Sequence, residues 1–293
     1  GFFDDLFLVL RETYIRSQTG HIQIYKRGFT EHGKISPYGY LIDNPDEIAA
    51  LVKSIPEIKF ITSRLQFSGL VSTGDNTISF MGQGIEPQNE RQIQKAQMKN
   101  LREFSKTQDS GLPVMDAGQT LVQEDIYEVV LGKGLAAAMS AKVNAPITLL
   151  TTTISGITNA LDMNVKGFFC TSMKDYDDIF LRVPLKTAQQ LLNTHSVQSM
   201  VIKLNRTEDT GKVFESLRLL IADKKLNLEI KRWEDLTDFY KKTVELFNKF
   251  YFIMRVLVAI TVVLGIFNTM NMAVMERISE IGTIMALGSR RRG

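Results

Sequence analysis

Residues 256–275 read VLVAITVVLGIFNTMNMAVM, and no side chain in this stretch is charged. A helix of about 20 residues is roughly 30 Å long, which matches the hydrocarbon core of a bilayer. The alternative is a buried helix of a soluble protein, but soluble helices of this length usually carry a polar face. The stretch therefore predicts one transmembrane helix in contact with membrane lipid.

Small and polar side chains recur along one side of this predicted span. Thr261, Gly265 and Asn268 follow a spacing of i, i+4, i+7, and Asn271 lies three residues further on. Transmembrane helices associate through small and hydrogen-bonding residues of this kind. We expect this stripe to pack against another transmembrane helix. The alternative is that the spacing is incidental.

Amphipathic segments bracket the large polar part of the chain. In residues 233–254, apolar side chains recur at three- and four-residue spacing, and lysines occupy much of the other side. Residues 1–19 have a similar apolar stripe, which Thr19 and Gly20 end. We expect two helical stalks, the first of them following an earlier transmembrane helix. The domain between the stalks should then begin and end near the membrane.

Between the stalks, strand and helix patterns alternate. Residues 21–28 alternate as a strand, and Pro45 opens a helical pattern. Strands follow, with a hairpin turn predicted at residues 73–76, and then a polar run begins. A second strand–helix–strand pattern closes the domain at residues 199–233. The sequence therefore predicts an α+β domain in which a βαβ-like unit, built from both ends, holds an inserted β-rich unit.

These patterns divide the chain into six predicted segments. They are the first stalk (1–19), the first part of the α+β unit (20–85), the β-rich insertion (86–178), the second part of the α+β unit (179–233), the second stalk with the transmembrane helix (234–275), and an amphipathic segment (276–293).

Membrane orientation does not follow from charge, because Lys and Arg near the span are balanced. Lys241, Lys242, Lys249 and Arg255 precede it, and Arg277, Arg290, Arg291 and Arg292 follow it.

Composition and motifs exclude several classes of function. The 293 residues carry a net charge of +3, which gives no indication of a nucleic-acid partner. The single cysteine, Cys170, excludes a disulfide framework and a CxxC site. The motifs GxxxxGK[ST], HExxH and GxSxG are absent, and the histidines are scattered. We therefore expect no catalytic, cofactor-binding or metal-binding residues.

Two local patterns resemble sites of other classes. Residues 130–137 (VLGKGLAA) read as strand–GxGxxA–helix, like a dinucleotide-binding turn. No acidic residue follows the next strand to hold a ribose, so we expect both glycines to serve a tight turn instead. Asp175, Asp177 and Asp178 form an acidic run, and such a run is more often a solvated loop than a metal site.

After the predicted span, residues 275–292 (MERISEIGTIMALGSRRR) change abruptly from apolar to amphipathic. Apolar side chains fall on one side of a helix and charged ones elsewhere; these are Ile278, Ile281, Met285 and Ala286, and Glu276, Arg277 and Glu280. Gly288 suits a helix C-cap, and the arginines that follow favour the carbonyl end of a helix. The pattern is typical of a juxtamembrane anchor or of a lever lying across the membrane face.

The stretch NTMNMAVMERISEIGTIMALGSRRRG resembles the second transmembrane helix and coupling helix of ABC-transporter permeases of the MacB/FtsX/LolC–LolE type. The residues that match are Asn268, Thr269, Glu276, Arg277, Glu280, Ile281, Gly282, Ala286, Leu287 and Gly288. TGHIQI, at residues 19–24, is similar to the opening of the periplasmic domain in lipoprotein-releasing permeases. VVLGKGLA, ALDMNVKGFF and KDYDD resemble the same family's periplasmic core.

The resemblance implies a permease subunit of the bacterial cytoplasmic (inner) membrane with a periplasmic domain and no covalent chemistry. A separate ATP-binding subunit would move the coupling helix through Glu276, Arg277, Glu280, Ile281, Met285, Ala286, Leu287 and Gly288. Such permeases pair with a second permease subunit, as homodimers or heterodimers. The implied substrate is a lipoprotein, which would also bring a periplasmic chaperone as a partner. Efflux of small molecules or peptides, and FtsX-like regulation of cell-wall hydrolases, are the alternatives.

Overall fold

The structure, a computed structural model, describes residues 15, 19–33, 35–91, 114–171, 174–236 and 238–288. Most of the predicted first stalk, much of the polar run after residue 86 and the C-terminal arginines lie outside the described residues. Two compact units divide between Thr237 and Asp238. The first unit holds all the described strands, and the second is a long helix.

Strands and short helices alternate through the first unit. The strands are β1 (Ile22–Lys26), β2 (Ile58–Ser72), β3 (Thr77–Ile85), β4 (Val114–Gly118), β5 (Glu128–Gly132), β6 (Pro146–Thr152), β7 (Thr158–Cys170), β8 (Phe180–Pro184), β9 (Ser199–Leu204) and β10 (Leu228–Arg232). The helices are α1 (Phe29–His32), α2 (Pro45–Val52), α3 (Lys133–Ala138), α4 (Lys174–Asp177), α5 (Leu185–Leu192), α6 (Thr210–Asp223) and α7 (Trp233–Leu236), and residues 87–91 are also helical. The second unit is α8 (Asp238–Ala286).

The first lobe of this unit consists of β10, β1, β9 and the first half of β2, side by side in that order and antiparallel throughout. The connections β1–α2–β2 and β9–α6–β10 each join two parallel strands that have one strand between them, which is a split βαβ arrangement. Both helices cover the same face, where Ile24, Met200 and Leu217 are fully buried in one core. The predicted βαβ-like unit built from both ends of the domain is confirmed.

The second lobe is a closed ring of strands. The pairings run β2–β3–β8–β5–β7–β6 and return from β6 to β2. The predicted turn at residues 73–76 joins β2 to β3, and the backbone N–H of Thr73 donates to the carbonyl oxygen of Asn76 at 3.1 Å. Helix α5 contributes Ala188, Leu191 and Leu192 to the ring's apolar core, so this lobe also includes a helix.

The division between the lobes differs from the predicted boundaries at residues 85/86 and 178/179. Strand β2 is 15 residues long, so its first half pairs with β9 and its second half with β6. Strands β3 and β8 and helix α5 also contribute to the ring core, with Phe80, Leu181 and Leu191 fully or almost fully buried there. The ring therefore begins within β2 and ends with α5, and all ten described strands belong to one sheet.

A buried ion pair joins the shared strand to the helical residues 87–91. The guanidinium of Arg64 donates to both carboxylate oxygens of Glu90, from Nε at 2.7 Å and from Nη2 at 3.1 Å. The side chains are only 9% and 6% exposed. A buried bidentate ion pair has a fixed geometry. A buried charge that loses its partner strongly destabilises the folded state.

We predict that Glu90→Gln destabilises the first unit by about 3–5 kcal/mol, because it leaves the Arg64 guanidinium without its counter-charge. The measurement is urea unfolding followed by the fluorescence of the single tryptophan, Trp233. The matched control is Glu208→Gln, which breaks an exposed pair with Arg206 and should cost no more than about 1 kcal/mol. Equal effects of the two substitutions would contradict this assignment.

Candidate functional site

The first unit begins and ends at one place. Strands β1 and β10 pair antiparallel, with Ile22 opposite Arg232. Beyond this pair the backbone N–H of Trp233 donates to the carbonyl oxygen of His21 at 3.1 Å. The expectation that the domain begins and ends close together is confirmed. Chain segments on either side of the domain therefore attach to adjacent strands of the same lobe.

His21 ties four elements together at this junction and is only 1% exposed. Its backbone N–H donates to the carbonyl oxygen of Ile202, and its Nδ1 accepts from the backbone N–H of Leu204 at 3.1 Å. Its Nε2 lies 3.2 Å from the hydroxyl of Thr207, in the turn before α6. No local sequence pattern indicates this role, because the hydrogen-bond partners of the imidazole lie more than 180 residues away along the chain.

Helix α8 is 49 residues long without interruption. Within it, Lys242–Ala286 is long and apolar enough to cross a membrane, the one such helix among the described residues. Side chains from Phe252 to Gly288 are exposed. A helix of this length spans about 73 Å at roughly 1.5 Å per residue, more than twice the thickness of a bilayer core. Several turns therefore extend beyond the span.

The predicted packing stripe lies on an open surface of α8. A Cβ atom built on Gly265 would meet no atom within 4 Å. The Thr261 hydroxyl donates to the carbonyl oxygen of Leu257 within the same helix, at 2.9 Å. In the part of the chain that the structure describes, the amides of Asn268 and Asn271 have no hydrogen-bond partner. The stripe is therefore available to another helix, and packing through it stays a prediction.

The predicted coupling segment continues α8 and does not form a separate helix. The helix passes without a break through Met275 and Glu276 to Ala286. Gly288 then adopts φ +92°, and its N–H donates to the carbonyl oxygen of Met285 at 3.1 Å, so the predicted C-cap is confirmed. The segment therefore continues the span as one helix, and a lever lying across the membrane face stays a prediction.

The coupling residues fall into separate groups on this extension. Ile281 and Met285 lie about 40° apart round the helix, at roughly 100° per residue, and both are about half exposed. Leu287 is 88% exposed and lies beyond the last helical residue, so it does not share their stripe. Arg277 and Glu280 are 4.0 Å apart, and both are largely exposed. Ala286 is the last residue of the helix. Ile281 and Met285 therefore form an apolar contact surface that is free within the described residues.

The two glycines of the GxGxxA pattern lie in the expected tight turn, since β5 ends at Gly132 and α3 begins at Lys133, and they also permit close contacts. Gly132 and Gly134 both have ordinary negative φ angles, since neither is among the positive-φ residues. A Cβ on Gly132 would lie 2.3 Å from the carbonyl oxygen of Asp177, and one on Gly134 would lie 1.8 Å from Oδ1 of Asp178. The acidic run therefore packs directly against this strand-to-helix connection, where a dinucleotide would otherwise approach the backbone.

Within the acidic run, Asp177 has a structural role. It is 4% exposed, and its carboxylate accepts from both the backbone N–H and the hydroxyl of Thr171, each at 2.8 Å. Among the described residues, no three or more His, Cys, Asp or Glu side chains form a group able to hold a metal ion. Asp177 therefore fixes the end of β7 against α4.

The sequence matches the family described as MacB-like periplasmic core domain over residues 1–220, which is most of the chain. The chain therefore belongs to this family. It carries the extracytoplasmic domain of an ABC-transporter permease-type protein, a membrane protein whose family implies partnership with an ATP-binding subunit.

Solved structures of such domains are similar to this one. The periplasmic region of MacB from Actinobacillus actinomycetemcomitans aligns with a TM-score of 0.51 and 16% identity, over 79% of this chain and 95% of that one. The extracellular domain of the ABC-type transporter YknZ from Gram-positive bacteria aligns with a TM-score of 0.48 and 11% identity, over 73% of this chain and 100% of that one. The likeness to the MacB region confirms the fold.

We predict that Gly265→Leu disrupts helix packing in the membrane, because the added side chain would hold a neighbouring helix away from the close approach that glycine allows. The full-length protein in lipid nanodiscs should unfold at a lower temperature. The matched control is Ala259→Leu, which adds similar bulk on roughly the opposite face of α8 and should have little effect. If both variants melt like the unaltered protein, the stripe is lipid-facing and the prediction is wrong.

Proposed function

We propose that this chain is part of a permease subunit in the bacterial cytoplasmic membrane, and that it transmits the motion of an ATP-binding subunit to the periplasmic domain. It carries out no covalent chemistry itself. The working assembly contains two permease subunits, which form either a homodimer or a heterodimer. Its substrate is hydrophobic, and the resemblance of residues 19–24 to lipoprotein-releasing permeases supports a lipoprotein.

The uninterrupted helix α8 is the observation that supports this mechanism best. A helix resists bending because each residue is held by backbone hydrogen bonds to its neighbours one turn away. Displacement of its end near Ala286 is therefore carried along the helix axis through the span. The other end, at Asp238, follows α7 almost directly in the chain. One residue, Thr237, separates α7 from α8 in the chain.

The exposed apolar side chains at the end of α8 support the proposal that this end binds the ATP-binding subunit. An exposed ion pair such as Arg277 and Glu280 contributes at most about 1 kcal/mol of free energy. Exposed charges of this kind are therefore too weak to account for binding of the partner subunit. Burial of Ile281 and Met285 in a groove of the partner would contribute about 1.5–3 kcal/mol for each side chain. The contact energy would therefore come from the apolar surface, and the charged pair would orient it.

We predict that Ile281→Asp separates ATP hydrolysis from transport or releases the ATP-binding subunit, because it places a charge in an apolar contact. The full-length permease would be purified together with its ATP-binding subunit, and lipoprotein release from proteoliposomes would be assayed in parallel. Loss of co-purification, or at least a tenfold loss of release, is expected. The periplasmic domain should stay folded.

The matched control is Ser279→Asp, which places the same charge about 160° round the same helix. It should leave both association and release close to those of the unaltered protein. Unchanged association and release in Ile281→Asp would show that the segment is a juxtamembrane anchor. Normal ATP-driven activity without lipoprotein release in the unaltered protein would instead reject the substrate and leave the coupling mechanism in place.

A further inference from the structure

A row of polar side chains crosses the face of the sheet that the helices of the first lobe leave uncovered. In β1, β9, β2, β3 and β8, alternate residues face the apolar cores, and the residues between them face the opposite side. The register places Gln83 of β3 between Gln66 of β2 and Arg182 of β8. On the other side of β2, Arg64 is opposite Ser199 of β9.

These residues line a cavity of about 370 Å³, a size within the range of small-molecule sites. Aromatic rings form part of its wall: Tyr25, Phe29, Tyr176 and Phe180. Tyr25 stacks on Phe29 with ring centroids 4.8 Å apart, and Tyr176 stacks on Phe180 at 4.0 Å. The cavity therefore combines flat apolar walls with a polar floor, which is the usual composition of a ligand site.

Polar groups of the floor face the cavity without a hydrogen-bond partner among the described residues. Gln83 is 8% exposed and Ser199 is 7% exposed, yet neither side chain makes a hydrogen bond there. The Nε of Arg182 is also buried without a hydrogen-bond acceptor. Buried polar groups are nearly always hydrogen-bonded, because leaving them unpaired costs stability. A ligand in this cavity would complete the hydrogen bonds of the buried Arg182 Nε on β8, and would offer partners to Gln83 on β3 and Ser199 on β9.

The charge of the cavity favours an anion. Two charged side chains line it, Arg64 and Arg182, and Glu90 neutralises the first of them. Arg182 contacts the ring of Phe169 and the hydroxyl of Tyr176, and no carboxylate in the described residues pairs with it. Burial raises the pKa of Tyr25 to about 12, so this hydroxyl stays neutral at physiological pH. One positive charge thus remains without a counter-ion.

We propose that this cavity binds a small carboxylate with a flat apolar body, held by Arg182 and Gln83 and enclosed by the aromatic walls. The guanidinium and the amide of these neighbouring residues donate to the carboxylate oxygens, and the hydroxyl of Ser199 provides a further donor. The apolar body packs against the rings of the tyrosine and phenylalanine pairs. The site lies entirely in the first unit and is independent of the proposed coupling through α8.

The probes for this site are N-acetyl-L-phenylalanine and its neutral amide, which differ only in the carboxylate. Their dissociation constants would be measured by calorimetry with the full chain in lipid nanodiscs. We expect saturable binding of the acid at least tenfold tighter than that of the amide. Gln83→Leu should abolish or weaken this binding at least tenfold without lowering the melting temperature, since the Gln83 amide makes no hydrogen bond within the described residues that the change would remove.

Two further variants complete the test. Arg182→Gln should remove the preference for the acid over the amide, and Ser199→Ala should weaken binding of the acid in a folded protein. The matched control is Gln119→Leu, which makes the glutamine-to-leucine change at an exposed residue outside the cavity and should leave binding unchanged. Lack of saturable binding, equal affinity for the two probes, or unchanged affinity in both Gln83→Leu and Ser199→Ala would overturn the proposal.

Discussion

The pairing of β1 with β10 is the constraint on which the rest of the molecule depends. It brings the first and last strands of the domain into one ladder and fixes the backbone of Trp233 against that of His21. Helix α7 follows β10 directly, and a single residue separates α7 from α8. The long helix therefore starts close to this junction along the chain. The buried imidazole of His21 adds hydrogen bonds to β9 and to the turn before α6. The end of the domain that adjoins α8 in the chain is thus held by several hydrogen bonds to distant parts of the chain.

A second constraint is the length of β2. A shorter strand would pair within either the split βαβ lobe or the ring. The 15 residues of β2 pair with β9 in the first lobe and with β6 in the ring. The Arg64–Glu90 pair lies where the strand passes from one lobe to the other. The two lobes therefore share one strand and belong to one compact unit.

Local sequence patterns predicted much of this architecture. Proline at Pro45, alternation in residues 21–28 and glycine at Gly288 each act within a few residues, so the elements they indicate were found where expected. The closed ring was missed because its closure depends on pairing between β2 and β6, about 80 residues apart. The alternation of Gln66, Gln83 and Arg182 with apolar neighbours is visible in the sequence, but only the register across three strands brings them to one cavity. The joining of the second stalk to the span was expected, but the continuation of α8 past Met275 was missed, since a change from apolar to amphipathic residues does not by itself interrupt a helix.

Transmission through an uninterrupted α8 is the central claim, and it is tested by breaking that helix. Three glycines inserted after Leu246 would replace a rigid segment with a flexible one, because glycine disfavours helix and adds conformational freedom. Spin labels at Ser155→Cys in two permease subunits, in a Cys170→Ala background, would report the distance between periplasmic domains with and without ATP. The account predicts that ATP changes this distance with the unaltered helix and not with the interrupted one, while the ATP-binding subunit stays attached to both. The same ATP-dependent change in both proteins would contradict it.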